Sequence, residues 1–229
     1  PDHRGIAREA VRKSQVLLKN ENQRLPLSPS GTYLVAGPGA DNIGQQSGGW
    51  SVSWQGTGNS NSDFPGGTSI LDGIERQVSA AGGRVVRDIN ADADIDAAVV
   101  VFGETPYAEM QGDAYTVAWY DKRGERKLIN ALVEKGIPVV AVFLTGRPMW
   151  INDVLNQSDA FVVSWLPGTE GEGIADVLLR DANDEVQFDF VGKLPMPWPA
   201  LDVNASDRDM PVDAFGFPIG YGLSVTHVT

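Results

Sequence analysis

Short runs of apolar residues recur along the chain, separated by stretches whose apolar positions follow helical spacing. The runs at 33–36, 84–87, 97–102, 138–144 and 160–164 are rich in Val, and the third and fourth are almost unbroken. A strand with one wet face alternates apolar and polar residues, whereas a strand covered on both faces has no need to. The runs therefore predict strands buried between two layers.

Helix candidates fill the intervals. Segment 4–18 gathers Ile6, Ala7, Ala10, Val11, Leu17 and Leu18 on one face, and segment 69–81 follows the Gly66-Gly67 turn. Segment 125–134 sets Leu128, Ile129, Leu132 and Val133 on one side, with Gly136 as its stop. Thr169 and Glu172 have capping-box spacing and open a predicted helix running to about residue 180. Strands alternating with helices imply right-handed crossovers. The predicted class is α/β: a mainly parallel sheet sandwiched between helices, of the (α/β)6-sandwich type, as a single domain over 1–229. Beyond residue 180 the chain turns rich in Asp, Pro and aromatics, notably at 186–190 and 194–199. That stretch reads as loops with one or two edge strands, giving the sheet an antiparallel edge.

Composition removes several functions. With 42% hydrophobic and 21% charged residues, 229 positions suffice for a full core. The 18 basic residues are outnumbered by 30 acidic ones, for a net charge of -12, and no basic stripe exists to displace counterions from a nucleic acid. The absence of Cys excludes disulfides, thiol nucleophiles and Cys-based zinc sites. His3 and His227 stand at opposite ends of the chain, which argues against a multi-His metal centre. No metal or cofactor is expected. No apolar run approaches the roughly 20 residues of a membrane span, and no signal peptide is visible. The first residue is Pro1, as in a mature chain or a piece of a longer one.

In open parallel sheets ligands bind beyond the carboxyl ends of the strands, so the loops that follow each run carry the candidate chemistry. After the first run comes a loop from Gly37 to Gly67, too long to be a mere connection. It contains Gly48-Gly49-Trp50-Ser51-Val52-Ser53-Trp54-Gln55-Gly56. Flat indole faces stack on the apolar face of a sugar, and Gln and Ser can bond its hydroxyls; alternatively both Trp side chains pack beneath their own loop. The third run leads into Gly103-Glu104-Thr105-Pro106-Tyr107-Ala108-Glu109-Met110-Gln111-Gly112-Asp113. Crowded, partly desolvated carboxylates there would lift at least one pKa into the range of a general acid; a solvated acidic loop is the plainer alternative. Arg147 suits a salt bridge to a neighbouring loop, while Glu170 and Glu172 suit capping and the helix dipole. Gly37-Pro38-Gly39-Ala40-Asp41-Asn42-Ile43-Gly44 lacks the G-x-G-x-x-G spacing, and Pro38 removes an N–H that a phosphate would need, so a nucleotide site is disfavoured. Asn156 and Asn204 begin formal glycosylation triplets that decide nothing.

Taken in order, several short motifs resemble glycoside hydrolase family 3: Leu17-Leu18-Lys19-Asn20, the Trp loop, Gly103–Asp113, Gly146-Arg147-Pro148, Leu166-Pro167-Gly168-Thr169-Glu170-Gly171, Gly192-Lys193-Leu194-Pro195 and Gly220-Tyr221-Gly222-Leu223. The likeness is to the second, α/β sandwich domain of exo-β-glucan glucohydrolases and β-glucosidases, over nearly the whole chain. It implies a retaining enzyme that releases glucose from β-glucan oligosaccharides; the polysaccharide chemistry and the absence of Cys point to an exported, bacterial one. A preceding (β/α)8 barrel would carry the Asp nucleophile, and no stretch of this chain is able to encode it. By the same resemblance Glu109 takes the acid/base position, with Glu104 as second choice, and Trp54 plates the +1 sugar with Trp50 beside it. An acid on a separate domain further implies an apolar docking face for the barrel. A non-catalytic glucan- or partner-binding module using the Trp50/Trp54 loop is the alternative, and a flavodoxin-like nucleotide binder a weaker one.

Overall fold

The computed structural model describes residues 2–201 and 215–226; His227 and the Asn204 triplet lie outside them. Six strands form one sheet: β1 (Val16–Asn20), β2 (Thr32–Ala36), β3 (Arg84–Val86), β4 (Ala97–Gly103), β5 (Val139–Leu144) and β6 (Ala160–Trp165), in the order β1-β6-β5-β4-β2-β3. All neighbours run parallel except β1, which pairs antiparallel with β6. The Val-rich character of the central strands follows from double coverage. Val99, Val101, Val140, Val142 and Val162 face one layer, formed by α1 (Asp2–Ser14), α3 (Ile70–Ala80) and α6 (Glu172–Leu178). Val100, Phe102, Ala141, Phe143, Phe161 and Val163 face the other, formed by α4 (Glu125–Glu134), α5 (Asn152–Gln157) and the buried Trp119 and Trp198.

Two expectations are corrected. The first helix stops at Ser14, and Leu17 and Leu18 belong to β1 instead of its apolar face. The buried Gln15 turns its amide back to the Val11 carbonyl at 2.8 Å, and the next residues insert between the layers, Leu17 into one core and Val16 and Leu18 into the other. The antiparallel edge therefore comes from β1 and not from the stretch beyond residue 180. That stretch supplies a separate two-stranded sheet, β7 (Trp198–Pro199) with β8 (Phe215–Phe217). The helices α5 and α2 (Ile43–Ser47) are too short to show a period in the sequence.

The capping box falls elsewhere as well. In α3 the Ser69 hydroxyl accepts the Asp72 N–H at 3.1 Å, and Asp72 accepts the Ser69 N–H in return. Thr169 plays no such part, since α6 begins beside Gly171 with no side-chain cap. Glu170 and Glu172 instead bind arginines: Arg4 at 3.0 Å for the former, and Arg8 at 3.1 Å and Arg76 at 2.9 Å for the latter.

Arg8 and Arg12 fix α1 to α6 through Asp176, whose side chain is 1% exposed. Its oxygens accept from Arg8 at 2.6 and 2.7 Å, Arg12 at 3.0 Å and Gln77 at 2.7 Å. Burial pushes this carboxyl up, but the two guanidiniums and the Gln77 amide outweigh it and hold the pKa below the usual carboxylate value. A depressed folded-state pKa contributes stability above the unfolded value and loses it as pH falls through the folded one. Asp176→Asn should therefore cost on the order of 3 kcal/mol at neutral pH by leaving Arg12 without its carboxylate and Arg8 with Glu172 alone. Thermal melts across pH should show wild type losing stability in acid faster than the variant, so that the two curves converge.

Candidate functional site at the sheet rim

Strands β2 and β4 are parallel neighbours, with Ala36 opposite Val100, so the loops leaving their carboxyl ends emerge side by side. This topology brings residues 50–55 against residues 107–112. The first turn after β2 is not an anion cradle, because the Gly39 N–H donates to the Val101 carbonyl at 3.0 Å and Asn42 caps α2 by accepting from Gln45 at 2.9 Å.

The Trp loop is tightly wound. Trp50 N–H donates to the Trp54 carbonyl at 2.8 Å and Ser53 N–H to the Ser51 carbonyl at 2.7 Å. Trp50 and Val52 take positive φ values of 59° and 63°, and Met110 in the facing loop takes 75°. Left-handed backbone is costly for bulky residues, above all a β-branched one, and such strain gathers at functional loops. A Cβ on Gly49 would lie 2.0 Å from the Tyr107 carbonyl oxygen, so the two loops touch backbone to backbone. The indoles do not pack beneath their loop: Trp50 is 70% and Trp54 45% exposed, with ring centroids 6.1 Å apart and planes tilted by 44°.

Glu109 faces this platform. Trp54 Nε1 donates to its Oε2 at 2.7 Å, and its side chain is exposed. Gln55 ties the loops together, its Oε1 accepting from Ala108 N–H at 2.7 Å and its Nε2 donating to the Glu109 carbonyl at 2.9 Å. The sequence offers Gln55 as a sugar ligand; the structure engages its amide with backbone. The indole N–H of Trp54, then the residue's own N–H and the Trp50 indole, hold the Glu109 carboxyl below the usual range. At Glu109 the upward shift expected of crowded carboxylates is thus not found, because indole donors face its carboxyl.

Glu104 is turned to other donors. Its carboxylate accepts from Arg147 Nη2 at 2.8 Å and Nε at 3.0 Å, Thr145 Oγ1 at 2.8 Å, Tyr107 Oη at 3.1 Å and Gly146 N–H at 3.3 Å, and its side chain is 9% exposed. A carboxylate bonded to this many protein donors anchors the loop base and does not face a leaving group. Arg147 also lies 5.0 Å over the Tyr107 ring, and burial beside the Glu104 charge pushes the Tyr107 phenol up to about 12. Asp113 is exposed. A cavity of about 500 Å³ opens along this loop between Glu104, Tyr107, Gln111, Tyr120 and Arg123. Nothing in the sequence singles out Thr145 or Tyr107, or the clamping role of Gln55, since a residue bonded to backbone or to an anchor leaves no spacing signature. Among the described residues no group of three or more His, Cys, Asp or Glu is placed to hold a metal ion, and no helix is long and apolar enough to cross a membrane.

The model of the glycosyl hydrolase family 3 C-terminal domain matches residues 15–225, and the chain belongs to that family. It is 49% identical to the exo-1,3/1,4-beta-glucanase of a Pseudoalteromonas species, whose crystal structure it matches with a TM-score of 0.91 over 99% of this chain and 29% of that one. It is 34% identical to the lysosomal beta glucosidase of Dictyostelium discoideum, covering 97% of this chain and 30% of that protein. With the periplasmic beta-glucosidase of Salmonella typhimurium it shares 29% identity, over 99% of this chain and 35% of that protein. The chain thus spans about a third of the length of these relatives.

Two carboxylates on one loop should respond differently to neutralisation. Glu104→Gln leaves the half-buried Arg147 without its anion and should lower stability by about 2–3 kcal/mol, whereas Glu109→Gln should leave the melting temperature unchanged. Paired thermal melts check both.

Proposed function

We propose that this chain is the acid/base-supplying domain of a retaining β-glucosidase or exo-β-1,3(1,4)-glucanase that releases glucose from the non-reducing ends of β-glucan oligosaccharides. A (β/α)8 barrel of the same enzyme supplies the Asp nucleophile and grips the sugar being cleaved. The observation that carries the reading is the exposed Glu109 carboxylate, set by the Trp54 indole at 2.7 Å beside two open aromatic faces. Membership of family 3 and the beta-glucosidase and exo-glucanase relatives support it.

A glucosidic oxygen is a poor leaving group, so Glu109 delivers a proton to it as the bond to the anomeric carbon breaks and the barrel nucleophile adds. In the second half-reaction the ionised Glu109 takes a proton from the water that releases the glucosyl group. Trp54 and Trp50 form the wall against which the leaving sugar stacks. The carboxyl is held low here by indole donors. Docking brings a second carboxylate to roughly 5–5.5 Å and removes water, and both changes raise the pKa toward that of a working acid. Other exposed apolar side chains, Val52 in the Trp loop and Met110, Tyr115 and Tyr120 in the stretch after β4, suit a barrel interface. An exported enzyme is in keeping with the periplasmic relative. A bacterial source is inferred from the polysaccharide chemistry and the absence of Cys.

In the intact enzyme, Glu109→Gln should lower turnover of unactivated β-glucans by about 10²–10⁴-fold, the usual contribution of general acid–base catalysis. Activated aryl glucosides should suffer far less and be rescued by azide; equal losses on every substrate would remove Glu109 from the role. Trp54→Phe deletes the donor that favours the ionised carboxyl, so the pKa rises and the alkaline limb of kcat/KM moves to higher pH. A limb that stays or moves down contradicts the assignment. The isolated chain should hydrolyse neither substrate. A binding module is the second reading, favoured by the exposure of both indoles. Binding of β-glucan oligosaccharides by the isolated chain, lost in Trp54→Ala, together with undiminished turnover in Glu109→Gln, would establish it instead.

A further inference from the structure

Gln55 follows Trp54 in the aromatic loop and bonds the backbone of the turn that carries Glu109. Its side-chain amide reads like a peptide unit laid against residues 108 and 109, with Oε1 taking the Ala108 N–H at 2.7 Å and Nε2 giving to the Glu109 carbonyl at 2.9 Å. The same carbonyl accepts the Gln111 N–H at 3.1 Å, and the Gly112 N–H closes the turn on the Ala108 carbonyl at 2.8 Å. The backbone of Ala108 and Glu109 is thus held from outside by Gln55, which follows Trp54 in sequence, while Arg147 Nη1 reaches the end of the turn at the Gly112 carbonyl at 3.3 Å. Because Trp54 bonds the Glu109 carboxylate while Gln55 bonds its backbone, two consecutive residues fix both ends of one side chain.

We infer that Gln55 is the positioning residue for the acid/base carboxylate, setting the distance and angle of Glu109 to the glycosidic oxygen; this rests on the role proposed for Glu109. Geometry is what such a clamp supplies. A misplacement of about 1 Å at a proton-transfer site can cost on the order of 10²-fold. Removing the clamp therefore weakens proton delivery and leaves attack by the nucleophile intact. Gln55→Glu keeps the volume and the acceptor for Ala108 but turns a carboxylate oxygen toward the Glu109 carbonyl. It also adds a negative charge near the Glu109 carboxyl, which raises its pKa.

The test uses the intact enzyme with Gln55→Ala, Gln55→Glu and Glu109→Gln, assayed on β-glucosides of graded leaving-group pKa. Gln55→Ala should lower kcat about 10–100-fold for poor leaving groups and less than about threefold for activated ones, with KM little changed. Gln55→Glu should show a smaller loss of the same kind and an alkaline limb moved to higher pH. Losses uniform across leaving groups, or none in either variant, overturn the positioning role, even where Gln55→Ala merely folds poorly, since Gln55→Glu preserves size. If Glu109→Gln shows the steep dependence and the Gln55 variants do not, only this inference falls. If Glu109→Gln shows none, the acid/base assignment and the clamp fall together.

Discussion

The rim of this domain depends on one constraint: two loops that leave different strands must keep a carboxylate and an indole in hydrogen-bond contact while both remain open to solvent. Neither loop has a core of its own to hold it. The sheet brings them near, because β2 and β4 are parallel neighbours, and three local contacts finish the task. Gly49 allows backbone to meet backbone at Tyr107, Gln55 clamps the turn from the side, and Glu104 with Arg147 fixes the base of the acidic loop. The left-handed Trp50, Val52 and Met110 lie inside this assembly, where the surrounding bonds over-determine a backbone that would otherwise relax.

In an acidic chain most carboxylates are structural, and their partners set them apart from Glu109, the one proposed to transfer protons. Asp176 lies between two arginines, Glu104 on a third, and Asp121 accepts the N–H groups of Gly124, Glu125 and Arg126 at the start of α4. Each is occupied by donors that stay in place. Glu109 alone of these meets its side-chain donor, an indole, at an exposed edge. A hydrogen bond there is readily exchanged for one to a ligand, which is what a proton-transferring group requires.

The central strands are plain in sequence because double-sided burial writes itself as unbroken Val. The class of fold follows from their alternation with α3 and α4, whose apolar positions keep helical spacing. What fails is local. Leu17 and Leu18 continue the helical face of α1 on paper, yet Gln15 bends back on Val11 and sends them into the sheet. The antiparallel edge is expected from the wrong end of the chain, since pairing of β1 with β6 joins residues remote in sequence. At the rim, the aromatic and acidic residues are recognisable as types in suspicious loops. Which of Glu104 and Glu109 is tied into the protein is not, because it depends on which of them Arg147 reaches.

The central claim concerns a distance that spans two domains. The most direct measurement is the crystal structure of the intact enzyme with its nucleophile trapped as a fluoroglucosyl ester. The account predicts the Glu109 carboxyl roughly 5–5.5 Å from the barrel Asp, the separation of a retaining pair, with the Trp54 ring lining the space beyond the sugar. A Glu109 carboxyl roughly 9 Å or more away, or turned to the far side of the rim from the sugar, would contradict it.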